Sequence, residues 1–205
     1  MDFLFDGPED ARVTIALAHG AGAAMDAPFM NFFAEGLAAW GFRVARFEFP
    51  YMAERRISGK KPGPNRPIVL QETWRNAIDA LGGPERLVIG GKSMGGRIAS
   101  MMADEAQVMG LVCLGYPFHP PGKPENLRTQ HLQNLTTPSL FVQGTRDPLG
   151  ARDEVAGYAL PGTIALLWME DGDHGFRPRK ASGRTLEQNL REAVEAAAAF
   201  VSSLK

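Results

Sequence analysis

Two kinds of hydrophobic stretch alternate along this chain, one short and β-branched, the other longer and rich in alanine. The short stretches are typical of buried strands, whereas the long ones space their apolar residues as an amphipathic helix does. Six strands are predicted, at 13–18, 42–47, 86–90, 108–114, 138–143 and 163–169. Helices are predicted at 27–40, 68–81, 94–105, 127–134, 152–159 and 182–204.

Strands that alternate with helices predict βαβ units and therefore a mostly parallel sheet covered on both faces. The expected fold class is α/β, a three-layer doubly wound α/β/α arrangement of about six strands in a single domain over residues 1–205. We predict the strand order second, first, third, fourth, fifth, sixth, with Phe3-Leu4-Phe5 as a candidate edge strand. The connections at 50–67 and 115–126 are predicted to be loops. Ligands of such folds bind at the carboxyl edge of the sheet, so function is sought in the loops that follow the strands.

Composition and charge narrow the possible functions. The 22 Lys and Arg against 23 Asp and Glu give a formal net charge of −1, which predicts neither a nucleic-acid nor a membrane partner. No apolar run approaches the roughly 18 residues that span a bilayer. Residues 1–7 lack a basic residue and Cys113 is the only cysteine, so we expect a cytoplasmic protein without disulfides. Cys113 lies mid-strand and is expected to be a buried apolar thiol rather than a nucleophile.

The segment from Gly91 to Gly95 reads Gly-Lys-Ser-Met-Gly between a predicted strand and a predicted helix. This is the G-x-S-x-G pattern of a nucleophile elbow, a strained turn that lifts a serine hydroxyl above the sheet edge. Flanking glycines are needed there because larger side chains would collide with neighbouring backbone. The alternative interpretation is a glycine-rich helix start with Ser93 as an ordinary N-cap.

A serine nucleophile needs a base to take its proton and an acid to orient that base. Asp147 follows the fifth predicted strand and His174 follows the sixth, in the chain order expected for Ser93. His174 is also the only histidine beyond Asp147, so Ser93, His174 and Asp147 are the predicted catalytic residues. Asp171 and Asp173 are rival acids, but we expect them to shape the turn that carries His174.

The first predicted strand runs into His19-Gly20-Ala21-Gly22-Ala23, whose small residues leave backbone amides open to a ligand. We predict an oxyanion hole formed by the amides of Ala21 and Met94, with Gly22 as a substitute donor. His19 is expected to brace this loop. Contacts with substrate are predicted for Gly22, Lys92 and Tyr116.

These motifs together resemble the α/β-hydrolase family, in its small cap-less bacterial branch near the dienelactone hydrolases. The sequence is also similar to hydrolase relatives that include a testis-expressed protein and a subunit of the NSL chromatin complex. The resemblance implies a triad of Ser93, Asp147 and His174. Dienelactone hydrolases carry a cysteine at the elbow, so the resemblance does not extend to their substrate. Segments that carry it are 19–23, 47–51, 91–97, 116–124, 144–147 and 173–174.

Competing motifs explain less of the chain. Gly91-Lys92-Ser93 ends like a P-loop, but Arg86 stands where that motif requires its first glycine. A dinucleotide-binding fingerprint after the first strand would need glycine at the position of Met25. Asp171, Asp173 and His174 are too crowded within one turn to complete a coordination sphere, so no metal and no cofactor is predicted.

The predicted function is hydrolysis of a small ester or related acyl compound by a serine hydrolase through an acyl-enzyme. The carboxyl-edge loops carry an excess of Lys and Arg, with Arg55, Arg56, Lys60 and Lys61 on one loop, which predicts a preference for an anionic substrate. The sequence does not specify the oligomeric state. The alternative function is a catalytically silent module of the same fold that binds a partner protein.

Overall fold

A seven-stranded sheet forms the centre of the molecule in the computed structural model, which describes residues 1–204. Its strands are β1 (Phe3–Asp6), β2 (Thr14–Ala18), β3 (Arg43–Phe47), β4 (Leu87–Lys92), β5 (Gly110–Leu114), β6 (Ser139–Gly144) and β7 (Ile164–Met169). The spatial order is β1-β3-β2-β4-β5-β6-β7, and only β1 pairs antiparallel. The predicted order of the six parallel strands and the candidate edge strand are both confirmed.

Helices cover both faces of this sheet. They are α1 (Pro28–Ala39), α2 (Pro50–Ser58), α3 (Pro67–Ala80), α4 (Met94–Ser100), α5 (Ala103–Ala106), α6 (Arg152–Val155) and α7 (Leu186–Ser203), with 3-10 turns at Gln130–Asn134 and Lys180–Ser182. One apolar core lies between the sheet and α1 and α7, and a second lies on the opposite face, under α2 to α5. The result is the predicted three-layer α/β/α fold. Within residues 1–204 no helix is long and apolar enough to cross a bilayer.

Four predicted elements differ from the structure. The helix predicted at 152–159 is shorter, since α6 ends at Val155. The segment predicted as one helix at 94–105 is divided into α4 and α5, because the Ser100 hydroxyl donates to the Arg97 carbonyl oxygen at 2.7 Å and competes with the helical hydrogen bond. The helix predicted at 127–134 is a short 3-10 turn at Gln130–Asn134. The connection at 50–67, predicted as a loop, contains α2.

Candidate active site

Ser93 lies on a strained turn between β4 and α4. Its φ of 51° and ψ of −114° place it in a region that residues other than glycine rarely occupy. A Cβ on Gly91 would lie 2.0 Å from the Ala18 carbonyl oxygen, and one on Gly95 would lie 2.3 Å from the same oxygen. Ser93 occupies the N-cap position of α4, but its side chain makes no capping hydrogen bond, so it does not act as the ordinary N-cap of the alternative interpretation. The turn requires both glycines and leaves the serine hydroxyl free for another partner.

That partner is His174, in the loop that follows β7. Its Nε2 lies 2.9 Å from Ser93 Oγ, and its Nδ1 lies 2.7 Å from Asp147 Oδ2. Asp147 is fully buried, and its other carboxylate oxygen accepts the Leu149 amide at 2.8 Å. A carboxylate accepts but does not donate, so Nδ1 carries the proton and the Nε2 lone pair faces the serine hydroxyl. The structure therefore brings the three predicted residues into one hydrogen-bonded chain.

The buried end of this hydrogen-bonded chain, at Asp147, is held by a residue that the sequence analysis missed. Gln143 is fully buried at the end of β6, and its Oε1 accepts the Tyr116 amide at 2.7 Å. That bond fixes the amide orientation and turns Nε2 toward Asp147 Oδ2, at 2.9 Å, and toward the Gly150 carbonyl oxygen, at 3.1 Å. A polar residue inside an otherwise apolar strand was the available signal, because a buried amide needs partners.

We predict that Gln143→Glu lowers kcat by about 10- to 100-fold, because misplacement of a reacting group by about 1 Å has an effect of that order. The substituted side chain keeps the acceptor for the Tyr116 amide and loses the NH₂ donors to Asp147 and Gly150. KM should change little, since Gln143 is buried away from the cleft. Steady-state kinetics on purified protein of unchanged melting temperature would measure this. A wild-type kcat would contradict a positioning role.

The loop after β2 is held from below by buried side chains. His19 Nε2 accepts the Phe49 amide at 3.1 Å, so its Nδ1 carries the proton and donates to the Gly20 carbonyl oxygen at 2.7 Å. Burial also lowers the pKa of His19, which favours this neutral form. The Tyr51 hydroxyl donates to the Ala21 carbonyl oxygen at 3.0 Å. His19 therefore braces the loop, as predicted, and α2 contributes the second brace.

An open cleft of about 440 Å³ lies between this loop and the serine, and we call it the serine cleft. It is lined by Gly20, Ala21, Gly22, Ala23, Ala27, Phe29, Met30, Lys92, Ser93, His174 and Gly175. The Met94 amide is the first of α4, where a helix has no acceptor of its own for its N–H groups. Within residues 1–204 the Ala21 amide also has no acceptor. Both expected oxyanion donors are thus available, and Gly22 lines the cleft.

Tyr116 does not lie where the sequence analysis expected it. The side chain is fully buried, and its hydroxyl donates to the Arg128 carbonyl oxygen at 3.0 Å. Its ring stacks on Phe141 with centroids 4.9 Å apart. The expected contact with substrate is therefore corrected: Tyr116 packs in the core beneath the site, because an aromatic ring after a buried strand gains more from this packing than from exposure.

Lys92 lines the serine cleft, but its ammonium group already has protein partners. Nζ donates to the His174 carbonyl oxygen and lies 5.2 Å and 5.5 Å from the ring centroids of Phe29 and Phe176. Burial lowers the pKa of Lys92 to about 8, and the negative charges of Asp147 and Asp173 oppose this shift. Lys92 therefore fastens the histidine loop to β4 in addition to lining the cleft.

We predict a pH-dependent stability difference between the wild type and Lys92→Met. The unfolded chain keeps the Lys92 proton up to its ordinary pKa of 10.5, whereas the folded protein releases it near pH 8. The unfolded state then binds more protons between these values, so this lysine makes the wild-type free energy of unfolding rise from pH 8 to 10.5. Urea unfolding of both proteins across that range measures the difference. A constant difference would contradict the lowered pKa.

The two rival aspartates shape the histidine loop, as predicted. Asp173 Oδ1 accepts the amides of Gly175 and Arg177 at 2.8 and 3.0 Å. Asp171, at a positive φ of 52°, accepts the Arg179 amide at 2.6 Å. Hydrogen bonding by the Arg179 guanidinium lowers the pKa of Asp171 to about 2. Neither carboxylate is the partner of the His174 ring, which pairs with Asp147.

Comparison with known proteins agrees with the fold. A dienelactone hydrolase from Anabaena variabilis is 21% identical, with a TM-score of 0.73 over 98% of this chain and 91% of that one. A serine hydrolase without a lid from Xanthomonas campestris is 20% identical, with a TM-score of 0.69 over 97% and 88%. An α/β serine hydrolase homologue from Coxiella burnetii is 18% identical, with a TM-score of 0.67 over 99% and 91%.

At these sequence identities the structural similarity shows the fold alone. The family is identified by a sequence model described as an alpha/beta hydrolase domain, which matches residues 11–202. That match includes β2 to β7 and every residue of the hydrogen-bonded chain at the carboxyl edge. This chain therefore belongs to the α/β hydrolase domain family.

Proposed function

We propose that this protein is a carboxylesterase-like serine hydrolase that cleaves a small ester or related acyl compound. The observation that carries the proposal is the chain from Ser93 Oγ through His174 to buried Asp147, beside a cleft lined by Ala21 and next to the first amide of α4. A poor nucleophile, its base, the group that orients the base and the donors for an oxyanion are thus adjacent. The alternative of a silent binding module gives these contacts no purpose.

In the first half of the proposed reaction, Ser93 Oγ attacks the substrate carbonyl carbon while His174 Nε2 takes the hydroxyl proton. The carbonyl oxygen becomes negatively charged and accepts hydrogen bonds from the amides of Ala21 and Met94. Asp147 stabilises the imidazolium through Nδ1–H. The tetrahedral intermediate then expels the leaving group, whose oxygen takes the proton from Nε2. An ester between Ser93 and the acyl group remains.

The second half repeats these steps with water. His174 Nε2 takes a proton from a water molecule that attacks the acyl carbon, and the same amides hold the oxyanion. Collapse breaks the bond to Ser93 Oγ, which recovers its proton from His174. The products are a carboxylic acid and free enzyme, and no cofactor is needed to balance the reaction.

Substrate charge remains a prediction. Arg56 pairs with Asp26 at 2.6 Å and with Glu48 at 2.7 Å, and Arg55 donates to the Pro62 carbonyl oxygen at 2.7 Å. The charge of Arg56 is therefore compensated by two carboxylates, which weakens the sequence argument that Arg56 attracts an anion. The Arg55 partner is a neutral carbonyl, which leaves the charge of Arg55 uncompensated in the part of the chain that the structure describes. The finer resemblance to the testis-expressed protein and the NSL subunit, the cytoplasmic location and the single-domain organisation also remain predictions from the sequence.

The experiment that tests the proposal is partitioning of the acyl group between water and added methanol. Esters with one acyl group and different leaving groups should all give the same ratio of acid to methyl ester, because each passes through the same acyl-Ser93. A ratio that changes with the leaving group, or absence of turnover across esters of different size, would contradict the proposal. The preference for an anionic substrate is tested by comparing kcat/KM for an ester with a carboxylate on its acyl group and for a matched neutral ester, at low and at high salt.

A further inference from the structure

A second cleft adjoins the serine cleft on the far side of Phe29. It has a volume of about 570 Å³, and we call it the apolar groove. The two clefts share Phe29, His174 and Gly175. Only the apolar groove is lined by Pro28, Phe32, Pro148, Asp173, Arg177, Leu186 and Leu190, from the starts of α1 and α7 and the loops after β6 and β7.

Phe29 is held firmly enough to separate these spaces. Its ring lies 4.8 Å from the Phe33 ring and 5.6 Å from the Phe176 ring, measured between centroids. The Lys92 ammonium lies 5.2 Å from the same ring. Because Phe33 and Phe176 are fully buried, Phe29 packs against a fixed support. A bound substrate would therefore contact two separate clefts that adjoin at His174.

The chemistry of acyl transfer assigns a different part of the substrate to each of the two clefts. This assignment rests on the proposed function. When the carbonyl oxygen faces the Ala21 amide, the acyl carbon lies against Ser93 in the serine cleft. The leaving-group oxygen must then lie at His174, because it receives its proton from Nε2. The body of the leaving group continues beyond His174, where the apolar groove begins.

We propose that the apolar groove binds the leaving group, and that the substrate class is an ester of an extended apolar alcohol. Phe32, Leu186 and Leu190 give this groove an aliphatic and aromatic lining. The serine cleft, at the acyl position, is lined by Ala27, Phe29 and Met30 besides the small loop residues from Gly20 to Ala23, and it contains none of the three groove side chains. Apolar groups gain binding free energy in proportion to the surface that they bury, so a longer alcohol should increase the rate through contact with these three side chains.

The test uses two ester series on the wild-type protein. In acetate esters the alcohol is lengthened from ethyl to hexyl, and in ethyl esters the acyl group is lengthened from acetyl to hexanoyl. We expect kcat/KM to rise about fourfold per added methylene in the alcohol series, which corresponds to the usual gain from burying a methylene. The acyl series reports on the serine cleft and is the reference for the variants. An alcohol series with no rise in kcat/KM would overturn the proposal.

Variants locate the effect. Phe32→Gln and Leu186→Gln should flatten the alcohol series and leave the acyl series unchanged, because both side chains line the apolar groove and neither lines the serine cleft. Leu127→Gln is the matched control, since Leu127 is 47% exposed and lines neither cleft. It should keep the wild-type slope. Equal slopes in the wild type and both groove variants, at unchanged melting temperature, would contradict the proposed site.

A measurement without variants guards against loss of folding. Added alcohols should compete with water for the acyl-enzyme, so the ratio of new ester to acid from one acyl donor should rise about fourfold per methylene from ethanol to hexanol. No dependence on alcohol length would overturn the groove assignment. If the wild type hydrolyses no ester, the proposed function itself fails, whereas ester hydrolysis whose rate does not depend on alcohol length rejects only the assignment of the groove.

Discussion

Replacing Ser93 by alanine should lower kcat for ester hydrolysis by about 10⁴-fold or more, because loss of the nucleophile leaves only binding and oxyanion stabilisation. The fold should be retained, since the Ser93 hydroxyl hydrogen-bonds only to His174 within residues 1–204. His174→Ala should have a similar effect. The double variant should be no worse than either single one, because the residues act as one unit. Initial rates with a p-nitrophenyl ester measure all three.

Ser203→Ala provides a serine control, because Ser203 lies at the end of α7 and, among the described residues 1–204, its hydroxyl bonds only to the Phe200 carbonyl oxygen. Its rate should equal the wild-type rate. Circular dichroism and thermal unfolding confirm that each variant is folded. If Ser93→Ala retained ester hydrolysis at a tenth of the wild-type rate or above, Ser93 would not be the nucleophile.

Gly95→Val should prevent stable folding at the elbow, with a loss of about 4 kcal/mol or more, the range reached only by severe local disruption. A Cβ on Gly95 would lie 2.3 Å from the Ala18 carbonyl oxygen and 2.7 Å from that of His19. Both atoms are backbone, in β2 and the loop that follows it, so they cannot move aside as a flexible side chain does. The effect should be measured as the free energy of unfolding in urea.

Gly162→Val is the matched control, because a Cβ there would have no atom within 4 Å and the backbone φ is an ordinary one. It should unfold close to the wild-type urea concentration. Any Gly95→Val protein that does fold should retain activity per folded molecule better than Ser93→Ala. A Gly95→Val melting temperature equal to that of the wild type would contradict the close packing of the elbow.

Much of the site could be predicted because its catalytic residues lie in local sequence motifs. Parallel strands bring their carboxyl ends to one edge, so the loops that carry Ser93, Asp147 and His174 were expected at the same edge of the sheet once the strand order was known. Gly91 and Gly95 also helped to locate the site, because few other residues fit a strained strand-to-helix turn.

Residues that act through long-range contacts could not be placed in this way. The Gln143 side chain lies in the buried interior and hydrogen-bonds to Asp147, and the Tyr116 side chain packs in the core. Neither side-chain direction follows from sequence spacing. Helix α2 was missed although its signals were present, with Pro50 at its first turn and Gly59 in the left-handed conformation after its end. The clefts on either side of Phe29 depend on packing between α1 and the histidine loop, which no local pattern encodes.

The central claim is that His174 activates Ser93 for nucleophilic attack, and a fluorophosphonate probe tests it most directly. The probe's phosphorus should bond to Ser93 Oγ with loss of fluoride, and mass spectrometry of the digested protein should find one adduct, on the peptide that contains Ser93. Folded His174→Ala protein should label far more slowly. An unlabelled wild-type protein, an adduct on another residue, or equal labelling of wild type and His174→Ala would contradict the account.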